Sequence, residues 1–138
     1  MRADSRIRHH DLCFGCGQAN LFGLQLELEA SDAGVAGRFF VKQDHQGPPG
    51  FAHGGVIAAA LDEAMALLVH RDGQAALTAR LEVELLAPAP VGAFVDVSAE
   101  LEADEGRRLL LAATASVAGQ EVARARGTFV RVGGAPAG

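Results

Sequence analysis

His53, Gly54, Gly55 and Asp62 form the pattern richest in chemistry: His-Gly-Gly, then an acid nine residues after the histidine, inside "FAHGGVIAAALDEAM" (51–65). Glycines at the start of a helix leave backbone N–H groups and the positive end of the helix dipole open to close approach. Gly54 and Gly55 are therefore candidates for an anion or oxyanion site, with His53 placed to donate a hydrogen bond or orient a substrate. The same tripeptide also serves as a plain loop-to-helix turn capped by His53, so the acid must separate the two readings. Asp is a poor interior helix residue, and an unpaired buried carboxylate costs several kcal/mol or stays protonated. One turn away on either side stand only Ala58, Ala59, Met65 and Ala66, with no cation. The partner of Asp62 must come from another segment, or a raised pKa is itself the purpose. Glu63 projects about 100° further round the helix and is expected to reach solvent or a salt bridge.

Spacing adds a constraint. Eight helical residues separate Gly54 from Asp62 by about 12 Å along the axis, whereas base or nucleophilic catalysis needs contact at about 3 Å. If both act on one carbonyl they must come from different subunits, which predicts a two-fold dimer with two equivalent sites.

The elements that position these residues follow from periodicity. "LQLELEA" (24–30) and "VAGRFFVKQ" (35–43) read as strands, joined by a turn at 31–34. "DHQGPPG" (44–50) is a loop. A helix is expected over 54–70, apolar on nearly every side and hence wrapped by sheet. Period-two segments return from Ala76 as four consecutive strands, with hairpin joins at 104–106 and at Gly119. About six strands around one long central helix predict a single α+β domain over 1–138, with a Cys-containing segment over 1–20 and a flexible tail over 133–138.

Composition excludes other classes. The chain has 138 residues, 49% of them apolar, which suits one compact domain rather than a disordered chain. A net charge of −5 with only 12 Lys and Arg argues against nucleic-acid binding. No window approaches the roughly 18 apolar residues of a membrane span, and "MRADSRIRHHDL" lacks the apolar core of a signal peptide, so a cytoplasmic protein is expected.

Three stretches, "CFGCGQANLFGLQLEL" (13–28), "GPPGFAHGGVIAAALDEAM" (47–65) and "LTARLEVELLAPAPVG" (77–92), together more than a third of the chain, resemble the hotdog-fold acyl-CoA thioesterases. The branch most similar is the phenylacetate-pathway and medium-to-long-chain acyl-CoA thioesterase group. The resemblance implies an antiparallel sheet wrapped around one helix, with sheets joined edge to edge in a homodimer, and a dimer of dimers as the larger alternative. It implies hydrolysis of acyl-CoA without a cofactor, with Asp62 as general base or as nucleophile through a mixed anhydride. Gly54 and Gly55 then match the oxyanion turn, His53 the substrate-orienting histidine, and Thr78 a hydroxyl that helps place water. Some relatives carry an Asn or Gln shortly before His-Gly-Gly, where this chain has His45 and Gln46, both assigned to substrate binding. Phe51, Met65 and Leu68 would line the acyl tunnel. CoA phosphates call for cations, and Arg80, Arg124 and Arg126 are the candidates, although solvated strand-face arginines are the commoner outcome. The alternatives are a non-catalytic thioester or aromatic-ligand binding module, with Asp62 as a buried structural acid, and a hotdog hydratase, whose motifs the surroundings of His53 do not resemble.

Cys13 and Cys16 lie in "HHDLCFGCG" (9–17), and His10, Cys13 and Cys16 have spacings that zinc ligands use. A structural zinc site wants four ligands, so His9 or His45 would have to complete it, and there is no second Cys-x-x-Cys. Packed thiols without metal are the expectation.

Overall fold

The structure, a computed structural model, describes residues 5–132; the tail expected over 133–138 lies outside these. Its strands are β1 (Arg6–Ile7), β2 (Glu27–Ala30), β3 (Gly34–Phe40), β4 (Ala76–Leu85), β5 (Phe94–Glu105), β6 (Arg108–Val117) and β7 (Gln120–Arg131), with the helix α1 (Gly54–Arg71) between β3 and β4. They form one antiparallel sheet of seven strands in the order β1-β2-β3-β5-β6-β7-β4. This is the hotdog architecture, with one more strand than the six expected, because the two-residue β1 is too short to show a period.

The four strands after the helix are consecutive in sequence but not in space. β5, β6 and β7 make two hairpins, the second turning through Ala118 and Gly119, which both have positive φ, the geometry of a type I′ turn. β5 also pairs with β3, so β4 is sent to the far edge, against β7. The "LQLELEA" alternation is real, since Leu24, Leu26 and Leu28 are all buried. The strand is nevertheless cut short by Gln25 at φ 51°, and Leu24 and Leu26 donate instead to the carbonyls of Phe14 and Gly15. The Cys-containing segment is thereby stitched to the sheet. The strand expected over 35–43 likewise stops at Phe40, because Gln43–His45 winds into a 3-10 turn.

α1 packs Ile57, Ala60, Leu61, Ala64, Met65, Leu67 and Leu68 into the core formed with the concave face of the sheet. Burial of that many aliphatic side chains, at about 1.5–3 kcal/mol each, holds the helix in place despite its two glycines. No helix among the described residues is long and apolar enough to cross a membrane.

Candidate functional site

Asp62 sits half-buried on α1, and its carboxylate Oδ1 accepts a 2.7 Å hydrogen bond from the Thr78 hydroxyl on β4. Simple alternation along β4 would put Thr78 on the same side as Arg80, Glu82 and Glu84. A β-bulge between Thr78 and Arg80 breaks that parity. Thr78 pairs with the buried Phe129 and faces the helix, whereas Arg80 pairs with Thr128 and faces out. Burial pushes the Asp62 carboxyl above its ordinary range; the Thr78 hydrogen bond opposes this, Glu63 adds to it, and His9 opposes it more weakly.

The glycine end is set by His53, the N-cap of α1 in extended conformation. Its Nδ1 accepts from the Gly55 N–H at 2.8 Å, and its carbonyl accepts from Val56 and Ile57. The two glycines are thus not equivalent. The Gly55 N–H is already used by the cap, while that of Gly54 has no hydrogen-bond partner among the described residues. The terminal carbon of Leu85, on β4, lies over Gly54. One edge strand therefore borders both ends of the helix segment, Thr78 at Asp62 and Leu85 at Gly54.

The substrate-binding set divides. His45 is 2% exposed, with Nδ1 accepting from the Lys42 N–H at 3.0 Å and Nε2 donating to the Gly23 carbonyl at 3.1 Å. Both ring nitrogens are thus engaged within the protein. His45→Ala should cost about 2–4 kcal/mol in a urea titration, because two buried backbone groups lose their partner. A substrate contact would instead raise KM and leave the urea midpoint unchanged. Gln46 accepts from the Gly50 N–H at 2.7 Å through Oε1, closing the Gly-Pro-Pro-Gly turn. Phe51 is partly exposed beside Ala52 and His53, whereas Met65 and Leu68 are fully buried in the core.

The arginines fall on the outer face of the sheet, each beside a carboxylate: Arg80 with Glu82 at 3.5 Å, Arg124 with Glu84 at 3.1 Å and Arg126 with Glu102 at 3.6 Å. Their opposition to the apolar faces matches the alternation. Arg80 and Thr78, however, lie on opposite sides of the sheet, so Arg80 does not share the Asp62 site within one protomer.

Sequence reasoning missed the surroundings of Glu63. This acid is 9% exposed, and its Oε2 lies 3.0 Å from His9 Nδ1 and 3.3 Å from the Cys13 thiol. Of the two expectations for Glu63, the salt bridge is found and exposure to solvent is not. Hydrogen bonds donated to Cys16 and Glu63 push the His9 imidazole up to about 11. Burial pushes Glu63 up, but His9 and the two thiols outweigh it and hold the carboxyl below its ordinary value. His10 stands apart, its Nδ1 accepting from the Leu12 N–H. A buried acid with no cation within a turn of it on the helix was a signal in the sequence, but it named no partner.

Comparison with known proteins agrees with this architecture. Residues 49–123 match the thioesterase superfamily. Acyl-coenzyme A thioesterase THEM5 of Homo sapiens is 32% identical over 89 residues, covering 63% of this chain and 36% of that protein. Acyl-coenzyme A thioesterase THEM4 of Rattus norvegicus is 36% identical over 69 residues, covering 50% and 30%. The chain thus spans only about a third of the length of these curated relatives. Among solved structures, a mutant of the phenylacetic acid degradation protein PaaI from Thermus thermophilus superposes with a TM-score of 0.73 at 26% identity, covering 83% of this chain and 98% of that one. A Bacillus halodurans protein crystallised with CoA gives a TM-score of 0.72 at 25% identity, covering 80% and 76%. With more than half its length matched and the hotdog architecture in place, the chain belongs to the thioesterase superfamily.

Proposed function

We propose that this protein hydrolyses acyl-CoA, or a similar pantetheine thioester, to the free acid and the thiol, at sites shared between two subunits. The observation that carries the reading is Asp62: a half-buried carboxylate on an apolar helix whose hydrogen-bond partner is a neutral hydroxyl rather than a cation. A structural acid would be neutralised; this one is kept desolvated and accessible to a reactant. The curated relatives are named acyl-CoA thioesterases, and a structural neighbour was solved with CoA, which supports the substrate class.

In the proposed reaction the thioester carbonyl oxygen accepts from the Gly54 N–H of one subunit, at the positive end of α1, with His53 beside it. Asp62 of the partner subunit takes a proton from water as the water oxygen bonds to the carbonyl carbon. The tetrahedral intermediate then expels the thiolate, which receives the proton held by Asp62, and the acid is released. Direct attack by Asp62, followed by hydrolysis of the mixed anhydride, gives the same products. Water is the only co-reactant either route needs.

The dimer is supported by β4 as well as by the axial separation. This ten-residue strand is a sheet edge, and Leu77, Leu81 and Leu85 on it are exposed in the single chain. A long apolar edge is an aggregation liability unless another strand covers it. A second copy pairing through β4 would extend the sheet and bring the two copies of α1 together.

Thr78→Ala tests the link between the strand and the acid. The hydroxyl donates to the charged form of Asp62 and so lowers its pKa. Its loss raises that pKa further, and the acidic limb of kcat/KM moves to higher pH, with activity falling most on the acid side. An unmoved limb in the pH profile would show that Asp62 is not the titrating group.

A further inference from the structure

We infer that His9, Cys13, Cys16 and Glu63 form a closed structural zinc site that fastens the Cys-containing segment to the middle of α1. This goes beyond thioester hydrolysis and stands whether or not that reading holds. It also revises the expectation of packed thiols without metal, which rested on the lack of a second Cys-x-x-Cys. Four different side chains each present one donor atom, and all four atoms lie within 4.8 Å of one another.

The separations have the dimensions of a coordination shell. Zinc–sulfur bonds of about 2.3 Å and zinc–nitrogen or zinc–oxygen bonds of about 2.0–2.1 Å, at tetrahedral angles, put nitrogen and sulfur about 3.6 Å apart and nitrogen and oxygen about 3.4 Å apart. His9 Nδ1 lies 3.6 Å from the Cys13 sulfur, 3.7 Å from the Cys16 sulfur and 3.0 Å from Glu63 Oε2. The Cys13 sulfur lies 3.3 Å from the same Oε2. Over these four separations a shell closes when the carboxylate oxygen withdraws by a few tenths of an ångström, and the remaining pairs lie within 4.8 Å.

Hydrogen bonding alone fits this convergence less well. One imidazole nitrogen faces three acceptors or donors at once, and it has a single proton or a single lone pair to offer them. One ion at the centre satisfies all four atoms together. The backbone N–H of His9 donates to the Cys16 sulfur at 3.1 Å, an arrangement that stabilises a thiolate, and the His70 ring packs edge-on against His9 at 4.9 Å.

Ligand chemistry selects the metal. Two thiolates and an imidazole disfavour magnesium and calcium, which take oxygen ligands, and four protein ligands without an open position are the mark of structural zinc. Cys-x-x-Cys supplies two ligands from one turn, closed by the Gly17 N–H donating to the Cys13 carbonyl at 2.8 Å. Gly15, between them, lets the segment lie flat on α1, since a Cβ there would fall 2.3 Å from Glu63 Cγ. Here too lies the reason for the second acid of "LDEAM": Asp62 faces the proposed reaction and Glu63 faces the N-terminal segment.

The test is metal content of the full chain. Protein refolded without oxygen with excess zinc and then desalted should retain about one zinc per chain by elemental analysis. Cobalt in its place should give thiolate-to-cobalt charge-transfer absorption and the intense visible bands of a tetrahedral ion. His9→Ala and Cys16→Ser should reduce retained metal to about a tenth or less, while His10→Ala leaves it unchanged. Wild-type protein that keeps no metal, or that binds cobalt without the charge-transfer band, overturns the inference. Equal loss in His10→Ala and His9→Ala overturns it as well. Because the cobalt spectrum is read on the wild type, the inference remains testable even if the cysteine variant fails to fold.

Discussion

Asp62→Asn is expected to lower kcat for acyl-CoA hydrolysis by about a hundred- to ten-thousand-fold, the span removed when a positioned base or nucleophile is lost. The substitution is nearly isosteric, and the Asn oxygen can still accept from Thr78. The effect therefore isolates the charge rather than the shape. Stability should move the other way. A carboxyl whose folded pKa is raised, as burial raises that of Asp62, penalises the folded state increasingly as the pH climbs past the unfolded-state pKa, and fully above the folded one. A neutral amide removes the penalty, so the thermal midpoint at neutral pH should stay level or rise in the variant, and the gain should vanish at pH values where Asp62 is already protonated. An acid retained for structure would behave oppositely, with Asn lowering the midpoint. A binding module in this fold would show ligand-induced stabilisation and no turnover in either protein. Thiol release from short, aromatic and long acyl-CoA substrates, beside melting curves at two pH values, separates the three cases.

Two acids one residue apart thus carry opposite demands, and the sequence shows why they are hard to tell apart. Both Asp62 and Glu63 lie in an apolar helix without a local cation, so local pattern identifies them as unusual and no more. Their fates are decided by residues far along the chain. Asp62 meets Thr78 because β4 crosses the helix and carries a bulge, a register change that no alternation pattern reveals. Glu63 meets His9 and Cys13, more than 45 residues away in sequence, because Leu24 and Leu26 pair with the backbone of Phe14 and Gly15. Spacing alone favoured His10 over His9 as the histidine beside the cysteines, and the turn at 10–13 reverses that choice. His45 shows the complementary limit. A polar residue in a Gly- and Pro-rich loop reads as exposed, yet its two ring nitrogens satisfy two backbone groups that the loop buries. The strands, the helix and the His-Gly-Gly turn were legible because each is a local property; the side-chain pairings were not.

Gly54→Pro is expected to lower kcat by about a hundred- to a thousand-fold, as removal of one oxyanion donor does, while leaving α1 intact. Gly54 is the first residue of the helix, after the cap at His53. Proline is favoured at that position because the N–H it lacks has no partner within the helix. His53 already has φ −62° and ψ 137°, the extended conformation a residue before proline prefers. A Cβ added at Gly54 meets only the flexible end of Leu85. The variant therefore deletes one N–H and little else, and retained helix content by circular dichroism with lost turnover is the expected pair of results. Combined with Asp62→Asn it also tests how the site is assembled. If each site takes Gly54 from one subunit and Asp62 from the other, a mixed dimer of the two single variants holds one site with both defects and one with none. Unfolding the two inactive proteins together and refolding them at equal concentration should restore about a quarter of wild-type activity, since half the dimers are mixed and half their sites are intact. A site built within one chain gives no recovery at any mixing ratio. The double variant Gly54→Pro with Asp62→Asn, refolded with wild type, supplies the control, because each mixed dimer there carries one defect in each of its two sites and adds no activity beyond the wild-type dimers present.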